Sequence, residues 1–555
     1  MKRIILVVSL IVFANQLSIT QVLYEPLDKE VYPFLQRLNH RGVIEFDDLF
    51  RPLSKKYIVS KLTEVKSKLE LLTNLEKDEL EFFLKDYLLE IESMEETPSV
   101  KKNMTYFGYD KFDRYRFFSY TDNLFKFAAN PILGFDLSFK DNIRSTHSWM
   151  GFTLQSYLKN NLGFHLTFKT HNERGSKLDI KKDFTPETGI IPSISDLGRD
   201  ISYTEVLSSL SFDWDWGSAF IGKDYLEYGY AKYGNLVLSD KAPSFPFIRF
   251  EIKPVDWFKF SYFHAWLSSL IIDSVSLANY NRNIYKDKYF AWHSLTLTPF
   301  RGLDFSIGES VVYANKLEPL YLMPIMFYYA ADEFISNREG KPGDANQQIF
   351  LTLSSKDHIW NTHLYATLFV DEMTIGGING SLFINTTYGG DVKSRERTQL
   401  GYTLGFSVTD LPMDNLTIGV EYTRINPFVY GHHDTAQTYR NSGYLMGHWM
   451  GHNADLIHFD VNYRFLRGLQ ANLWGTFIRK GSSDYFMQYR RPQPDFLFGL
   501  RKNYSYYGFN IKYEWLHDLH FEARFKNTVS SIEQSDGSFK DKKINEFGIT
   551  MFYGF

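Results

Sequence analysis

Cysteine is absent from this chain of 555 residues. Its absence excludes disulfide frameworks, cysteine-based zinc and iron–sulfur sites, thiol nucleophiles and acylation at an N-terminal cysteine. An excess of charge of one sign is missing too, because 61 basic side chains stand against 65 acidic ones and the net charge is −4. The composition therefore gives no reason to expect nucleic acid as a partner.

Long apolar runs are missing beyond the N-terminus. The longest candidate, residues 320–331, is interrupted by proline and falls short of the roughly 18 apolar residues of a spanning helix. The N-terminus carries Lys2 and Arg3 before an apolar run over residues 4–14. This order is typical of a signal peptide, so we expect residues 1–20 to be removed on export. A single membrane anchor is the alternative, but the run is short for one.

Aromatic residues, by contrast, are abundant. The chain contains 49 Phe, 37 Tyr and 10 Trp, which together make 17% of its residues, yet its mean hydropathy is negative. The aromatic residues are therefore interleaved with polar ones instead of being gathered into apolar blocks.

Residues 21–103 have the periodicity of short amphipathic helices. Gly42 ends the first run, a second opens after Ser54, and Thr73 or Asn74 can cap a third. We expect a small helical bundle with a charged outer face over this range. Its apolar positions are Val31, Phe34, Leu35 and Leu38, then Ile58, Leu62, Val65 and Leu69, then Leu80, Phe83, Leu84, Leu88 and Ile91.

From residue 104 to residue 555 the apolar period changes to two, as in β-strands. Residues 457–465, for example, alternate between apolar and polar, and the chain alternates up to the aromatic Phe555. A soluble β-sandwich or propeller with one wet face is the alternative. A charged polar face, aromatic residues near the segment ends and the lack of a repeated blade motif favour a transmembrane antiparallel β-barrel. About 450 residues at roughly 25 per strand predict around 18 strands, with 16 also allowed, and the helical bundle is the candidate periplasmic plug.

The segment at residues 220–250 is too particular for a generic strand. It reads FIGKDYLEYGY over residues 220–230, GNLVLSDKAP over 234–243 and FIRF over 247–250. This strand–loop–strand resembles the signature of the Wzi-type capsule assembly family. Further blocks that agree with that family, in the same order, lie at residues 35–54, 289–324 and 421–455.

The resemblance implies a Gram-negative outer-membrane lectin: a barrel of about 18 strands, closed from the periplasm by its helical bundle, that retains or organises capsular polysaccharide at the cell surface. It implies no enzymatic activity and no cofactor. Lys223, Tyr228 and the pair Tyr230 and Ala231 stand where the family usually has Arg, Trp and Pro-Gly, so the sugar preference does not carry over. We expect the exported polysaccharide and outer-membrane lipid as partners, and a monomer without a bound metal.

A sugar site needs aromatic faces for pyranose rings and planar polar groups for their hydroxyls. The loop after residue 223 is dense in both. An interfacial girdle or packing inside the lumen is the alternative for its tyrosines, and an internal ion pair is the alternative for Asp224. Asp240 and Arg249 are predicted to be lumen charges in internal ion pairs, because a charge inside a barrel must be hydrated or paired. The predicted polysaccharide contacts are Asp224, Tyr225, Tyr228, Tyr230, Tyr233 and Asn235.

Two other functions remain open. A porin-type diffusion channel for small or sugar solutes would use the same architecture with an open lumen, but a typical open porin has no helical segment of this kind. A glycan-acting enzyme would need a paired acid and base, and acidic pairs arise by chance in a charged lumen. His432, His433 and Asp434, with His448 and His452, lie in predicted strand and loop and form no recognised metal-site pattern.

Overall fold

The computed structural model describes residues 23–94, 102–110, 114–122, 124–158, 162–194, 198–280, 283–340, 345–372, 398–490 and 492–554. The expected signal peptide and the terminal Phe555 lie outside these residues. Most of the described chain forms one closed antiparallel β-barrel of 18 strands, which confirms the predicted fold class. In chain order the strands are β1 (Phe125–Lys140), β2 (Ile143–Leu158), β3 (Leu162–Gly175), β4 (Asp200–Trp214), β5 (Gly217–Asp224), β6 (Phe245–Val255), β7 (Phe258–Ile272), β8 (Tyr285–Phe300), β9 (Leu303–Ala314), β10 (Asn346–Lys356), β11 (Thr362–Glu372), β12 (Gln399–Thr409), β13 (Leu416–Ile425), β14 (Ala454–Leu466), β15 (Leu469–Lys480), β16 (Lys502–Leu516), β17 (Leu519–Glu533) and β18 (Phe539–Tyr553).

The barrel closes where its last strand pairs with its first. Glu546 lies opposite Lys140, and the ladder runs on until Tyr553 lies opposite Leu133. Every other strand pairs with its neighbours in the chain. Closure satisfies the backbone N–H and C=O groups within the wall, which is what a sheet in hydrocarbon requires.

The predicted alternation separates the two faces of the wall. Phe525 and Phe547 are paired across β17 and β18 on the outer face, where Phe547 is exposed and Phe525 is half-buried. Their neighbour Arg524 points inward, where it binds Asp136 (2.6 Å) and donates to Thr550 Oγ1 (2.7 Å). An apolar exterior and a polar interior are the arrangement of a barrel in lipid.

The two ends of the barrel differ in the length of their connections. Short turns join β8 to β9 and β14 to β15, and in the latter Gly468 has φ +79°. A Cβ on Gly468 would lie 2.3 Å from the Glu514 carbonyl oxygen, so this turn requires glycine. Long connections, such as residues 225–244 and 426–453, lie at the opposite end. Short turns face the periplasm in outer-membrane barrels, so we call the two ends the periplasmic end and the loop end.

Helices occupy the N-terminal segment where periodicity predicts them. They are α1 (Val31–His40), α2 (Lys55–Lys66), α3 (Asn74–Asp86) and α4 (Leu88–Met94), and two further helices, α5 (Ser274–Tyr280) and α6 (Tyr328–Glu339), lie in loops. Thr73 caps α3 by accepting from the Glu76 backbone N–H, while the Glu76 side chain accepts from the Thr73 N–H. None of the helices that the structure describes is long and apolar enough to cross a membrane.

The N-terminal helices rest on the periplasmic end of the barrel. Arg37 of α1 binds Asp410 in the turn after β12 (3.1 Å), and Glu79 of α3 binds Arg464 near the end of β14 (2.6 Å). All four side chains are largely buried. The helical segment therefore covers this end of the lumen and is held there by charge pairs as well as by packing.

A hairpin lies between the N-terminal helices and β1, the first of the 18 barrel strands. Its strands, Asn103–Tyr109 and Tyr115–Thr121, pair with each other, and the second pairs with β1 from Phe118 opposite Ala129 to Thr121 opposite Lys126. It thus occupies the half of β1 that β18 leaves unpaired. The 18 strands that close the barrel begin at Phe125, and the hairpin, which lies within the predicted barrel range from residue 104, belongs to the same sheet.

Two loops fold back into the lumen instead of extending outward. The Tyr430 hydroxyl donates to the Leu236 carbonyl oxygen (2.7 Å), and the Tyr439 hydroxyl donates to that of Val237 (2.7 Å). Phe50 of the N-terminal segment pairs with Tyr228 of the inward loop after β5. Together they form an apolar core that fills the side of the lumen lined by β6 to β13.

We predict that protonation of His40 weakens the docking of α1. His40 is buried against the wall, with Nδ1 3.4 Å from Thr409 Oγ1, and burial, reinforced by Lys232, Lys356 and Arg37, lowers its pKa to about 3. The unfolded state therefore binds more protons below its ordinary value of about 6.5, so this contribution is complete above that pH and falls as the pH drops.

Thermal unfolding in detergent at pH 7.5 and pH 5.0 measures this effect. His40→Gln keeps a hydrogen-bonding group but does not titrate. Between pH 7.5 and pH 5.0 we therefore expect its free energy of unfolding to fall by about 2 kcal/mol less than that of the unsubstituted protein. Equal losses in the two proteins would show that His40 does not set the pH dependence.

Candidate functional site

The other side of the lumen contains a cavity of about 1040 Å³. The barrel strands β1 to β3 and β14 to β18 form most of its lining. The inward loop after β5 closes it toward the packed half of the lumen through Lys232 and Tyr233. Helix α1 supplies the floor through Glu30, Gln36 and Arg37. We call this space the lumen cavity. It is wide enough for several sugar rings, and helices lie at its periplasmic end.

Aromatic rings lie on the polar face of the wall around the lumen cavity. Trp149 comes from β2 and Trp474 from β15, and both occupy inward register positions that elsewhere carry polar residues. Tyr233 adds a third ring, stacked on His458 with a centroid distance of 4.3 Å and an angle of 11°. Partly exposed rings in a wet cavity offer apolar faces to the C–H side of a pyranose.

Planar amides stand beside these rings. The Trp474 indole donates to Asn510 Oδ1 (3.2 Å), and Asn462 donates to Gln470 Oε1 (3.1 Å). Asn472 Oδ1 is buried and accepts no hydrogen bond from the described residues. Amides that both donate and accept are suited to pairing with vicinal hydroxyls.

Charges in the lumen cavity are of both signs and are largely paired with each other. Lys232 of the inward loop lies 3.3 Å from Asp460 of β14. In the loop after β3, burial alone would lower the pKa of Lys182, but Glu187 and Glu173 together raise it above its ordinary value. The balance of charge gives the cavity no strong preference for an anionic or a cationic polymer.

Among the six predicted contact residues, only Tyr233 lines the lumen cavity. Tyr228 is 1% exposed, and its hydroxyl donates to Ser306 Oγ (2.8 Å). Tyr225 directly follows β5, and its hydroxyl donates to Glu205 Oε1 of β4 (2.7 Å). Both tyrosines therefore use their polar groups within the protein.

The remaining three contact candidates also have partners within the protein. Asn235 is buried and accepts from the Ala231 backbone N–H (3.1 Å), which shapes the inward loop. Asp224 accepts from the Tyr225 N–H (2.8 Å). Tyr230 lies beside Lys356, whose ammonium is 4.8 Å from the ring centroid. Their role in polysaccharide binding stays a prediction.

The two predicted lumen charges lie next to the N-terminal segment. Arg249 is 1% exposed, lies 2.9 Å from Glu251, donates to the Pro52 carbonyl oxygen (3.1 Å) and stacks over Phe50 at 3.9 Å. Asp240 is half-buried in the inward loop, attracted by Arg51 and repelled by Glu227. Arg249 thus joins the wall of the barrel to the helical segment.

The histidines singled out in the sequence serve the folding of the inward loop at residues 426–453. His452 Nδ1 accepts from the Phe428 N–H (3.0 Å), and His448 Nδ1 accepts from the Met450 N–H (3.2 Å). The rings of His432 and His433 lie 4.1 Å apart and are tilted by 41° to each other. No group of three acidic or histidine side chains among the described residues is placed to hold a metal ion.

Sequence reasoning missed the cavity-lining rings of β2 and β15. The signal was present, because Trp149 and Trp474 break the alternation by placing a large aromatic ring among the polar, inward-facing residues. Proximity of two strands so far apart in the chain follows only from barrel closure. The sequence can therefore single out these two rings, but it cannot show that they line the same cavity.

Comparisons with known proteins show the fold but no family. No protein-family model matches the chain, and no curated protein matches it. Among solved structures it is similar to Wzi of Escherichia coli, described as a carbohydrate-binding β-barrel of the outer membrane involved in group 1 capsule assembly. The TM-score is 0.55 at 10% identity, over 96% of this chain and 99% of that one. The protein is an outer-membrane β-barrel.

Two solved structures from Pseudomonas aeruginosa match with lower scores. OccK8 (OprE) matches with a TM-score of 0.41 at 12% identity, over 77% of this chain and 97% of its own. OpdK with vanillate matches with a TM-score of 0.43 at 10% identity, over 77% of this chain and 98% of its own. Scores at this level are too low for a comparison of sites.

We expect the intact protein to conduct little in planar bilayers, because the helices form the floor of the lumen cavity. Glu79→Gln removes a buried carboxylate 2.6 Å from Arg464. Breaking such a pair costs about 3 kcal/mol of docking, so the variant should show more frequent open events.

Glu64→Gln is the matched control, because Glu64 pairs with Lys61 and Lys68 of its own segment and, among the residues that the structure describes, with none of the barrel. Its current traces should equal those of the unsubstituted protein. Large, steady channels in the unsubstituted protein would show that the floor is open.

Proposed function

We propose that this outer-membrane barrel retains or organises capsular or extracellular polysaccharide at the cell surface, without enzymatic action, and that the lumen cavity holds part of the sugar chain. The observation that carries the proposal is the presence of Trp149, Tyr233 and Trp474 on the polar walls of a large cavity whose floor is a helix. Rings in this position are not needed for contact with lipid, which lies on the other face of the wall.

The chemistry of the lumen cavity is suited to neutral or mixed-charge sugars. Trp474 is held by its hydrogen bond to Asn510 (3.2 Å), so its ring is oriented before a ligand arrives. Asn462 and Gln470, whose side chains are hydrogen-bonded to each other (3.1 Å), add amide groups to the same wall of the cavity. Each such contact is weak, and a repeating polymer held at several barrels would gain affinity through multivalency.

The sequence resemblance supports the same function. The blocks at residues 220–250 and 421–455 that resemble the Wzi-type family correspond to the inward loop after β5 and the inward loop after β13 with the strands on either side of it. On this proposal most residues of the block at 220–250 shape the lumen, while Tyr233 supplies a ring to the cavity. Asp224, Tyr225, Tyr228, Tyr230 and Asn235 would then act by holding the loop in place.

A porin-type diffusion channel is the alternative with the same architecture. Two features favour retention over free diffusion: the inward loops that fill one side of the lumen, and helix α1 across the floor of the other. A diffusion channel needs a continuous aqueous path, which these elements narrow at both places.

The binding of purified polysaccharide from the encoding strain to the detergent-solubilised protein tests the site. We expect Trp474→Ala to weaken binding about fivefold, since one stacked ring contributes about 1 kcal/mol. Trp515→Ala is the matched control, because Trp515 is exposed on the lipid-facing side of β16. Equal affinities for the two variants would exclude the lumen cavity as the sugar site.

The phenotype of the encoding strain tests the function itself. We expect deletion of the gene to leave polysaccharide synthesis intact but to release the polymer into the medium, as measured by the ratio of cell-bound to soluble polymer. An unchanged ratio would refute retention, whatever the binding result.

A further inference from the structure

The connection between β9 and β10 leaves the loop end and lies against the outside of the barrel. It contains a short 3₁₀ turn, Pro319–Leu322, followed by α6. We call residues 316–340 the outer strap. Unlike the inward loops, it covers part of the wall on the side that faces lipid elsewhere.

The register of the strands identifies the covered face. Trp292 of β8 points into the lumen, where its ring lies 4.8 Å from that of Phe50 in the N-terminal segment. Its chain neighbour His293 therefore points outward, as does Glu309, its partner on β9. Ile307, two residues before Glu309, is exposed on this same outer face.

Direct contacts join the outer strap to this face. The Tyr328 backbone N–H donates to Glu309 Oε1 (3.0 Å), and the Tyr262 hydroxyl of β7 donates to the Tyr321 carbonyl oxygen (3.2 Å). Ring contacts add to them, with Tyr313 4.7 Å from Tyr321. The strap is thus hydrogen-bonded to β7 and β9, and it packs on β8 through the rings of Tyr328 and His293, whose centroids are 4.7 Å apart.

Beneath the outer strap lies a polar cluster that would be costly in hydrocarbon. His293 Nε2 lies 3.1 Å from Glu309 Oε1 on the outer face of the wall. In the adjoining ladder positions, Tyr262 pairs with Phe250 on one side and Glu309 pairs with Ile349 on the other. Phe250 and Ile349 are exposed apolar side chains, so the imidazole and the carboxylate lie at a level where the wall faces acyl chains.

The surface of the strap that faces away from the barrel is apolar over residues 322–327. Ile325 is 84% exposed, and Phe327, directly before the residue that binds Glu309, is 54% exposed. Leu322, Met323 and Phe334 are exposed as well. This surface continues the apolar belt of the neighbouring wall. A water-filled setting would leave a large apolar patch without cover.

The polar residues of the strap lie toward its end. Glu333 and Arg338 of α6 are exposed, and Arg338 binds Glu318 at 2.8 Å. A segment that is apolar at residues 322–327 and carries exposed charges beside Phe334 on the following helix matches the change from acyl chains to headgroups.

We propose that the outer strap is embedded in the outer leaflet of the membrane, where lipid acyl chains cover residues 322–327 and the strap in turn shields the His293–Glu309 pair from lipid. The occupant of this surface is lipid, because the surface is continuous with the lipid-facing belt and its covered wall lies level with Phe250 and Ile349. The barrel therefore has an anchor outside its wall.

The absence of cysteine allows single labels to test this directly. Ile325→Cys in the full-length protein, reconstituted into phospholipid vesicles, is labelled with an environment-sensitive fluorophore and exposed to brominated lipid or to iodide. We expect brominated lipid to quench this label as strongly as one at Phe305→Cys in the lipid-facing belt, and iodide to quench it several-fold less than a label at Ser535→Cys in the exposed turn before β18. Glu333→Cys, in the same strap, should be reached by iodide.

Two results would overturn the proposal. Strong iodide quenching at Ile325→Cys would place the strap in water. Protection from both quenchers would mean that protein covers the surface, and a disulfide-linked dimer of Ile325→Cys on oxidation would identify a second copy as the cover. A difference in gel migration between unheated and heated samples, equal in all variants, confirms that each barrel is folded before labelling.

Discussion

The structure depends on one constraint: a sheet in hydrocarbon must pair every strand, and here β18 returns to β1 to do so. The ladder from Glu546 opposite Lys140 to Tyr553 opposite Leu133 removes the last free edge of the wall. Closure fixes an inside and an outside, and each strand must then present alternate residues to two different solvents. The composition follows from this requirement, since aromatic and charged residues are both abundant yet never separate into long blocks.

A barrel of this width must also deal with its own interior. One side is packed like the core of a soluble protein, with the tyrosines of one inward loop bonded to the backbone of the other, as Tyr430 is to Leu236. Arg249 ties this core to the helical segment through Pro52 and Phe50. The other side keeps water-accessible space above α1. Filling one half and leaving the other as a floored cavity suits a protein that holds a polymer better than one that passes solutes, which is why the arrangement of the lumen weighs more in the proposed function than the fold.

Local features of the fold could be predicted from the sequence, and features that depend on the direction of a loop could not. The helices and the cap at Thr73 follow from spacing alone, and so does the alternation that leads to 18 strands. The loop after β5 is rich in tyrosine and polar groups, which predicts a ligand surface equally well whether the loop points outward or inward. It points inward, so the polar groups of Tyr225, Tyr228 and Asn235 are taken by Glu205, Ser306 and the Ala231 backbone. Among the six predicted contact residues, Tyr233 alone lines the lumen cavity, at the edge of the packed region.

Departures from the alternating pattern are more informative than the pattern itself. Trp149 and Trp474 are large aromatic rings in the polar register, and they mark the wall of the lumen cavity. His293 and Glu309 are polar groups in the apolar register, and they mark the patch of outer wall that the strap covers. Each departure would be unfavourable on a bare wall, because a ring gains nothing in open water and a carboxylate is costly in lipid. Each is tolerated where something else meets the wall. The same reasoning applied to two faces of one sheet therefore identifies the surface proposed for a sugar on the inside and the surface covered by a segment of the chain on the outside.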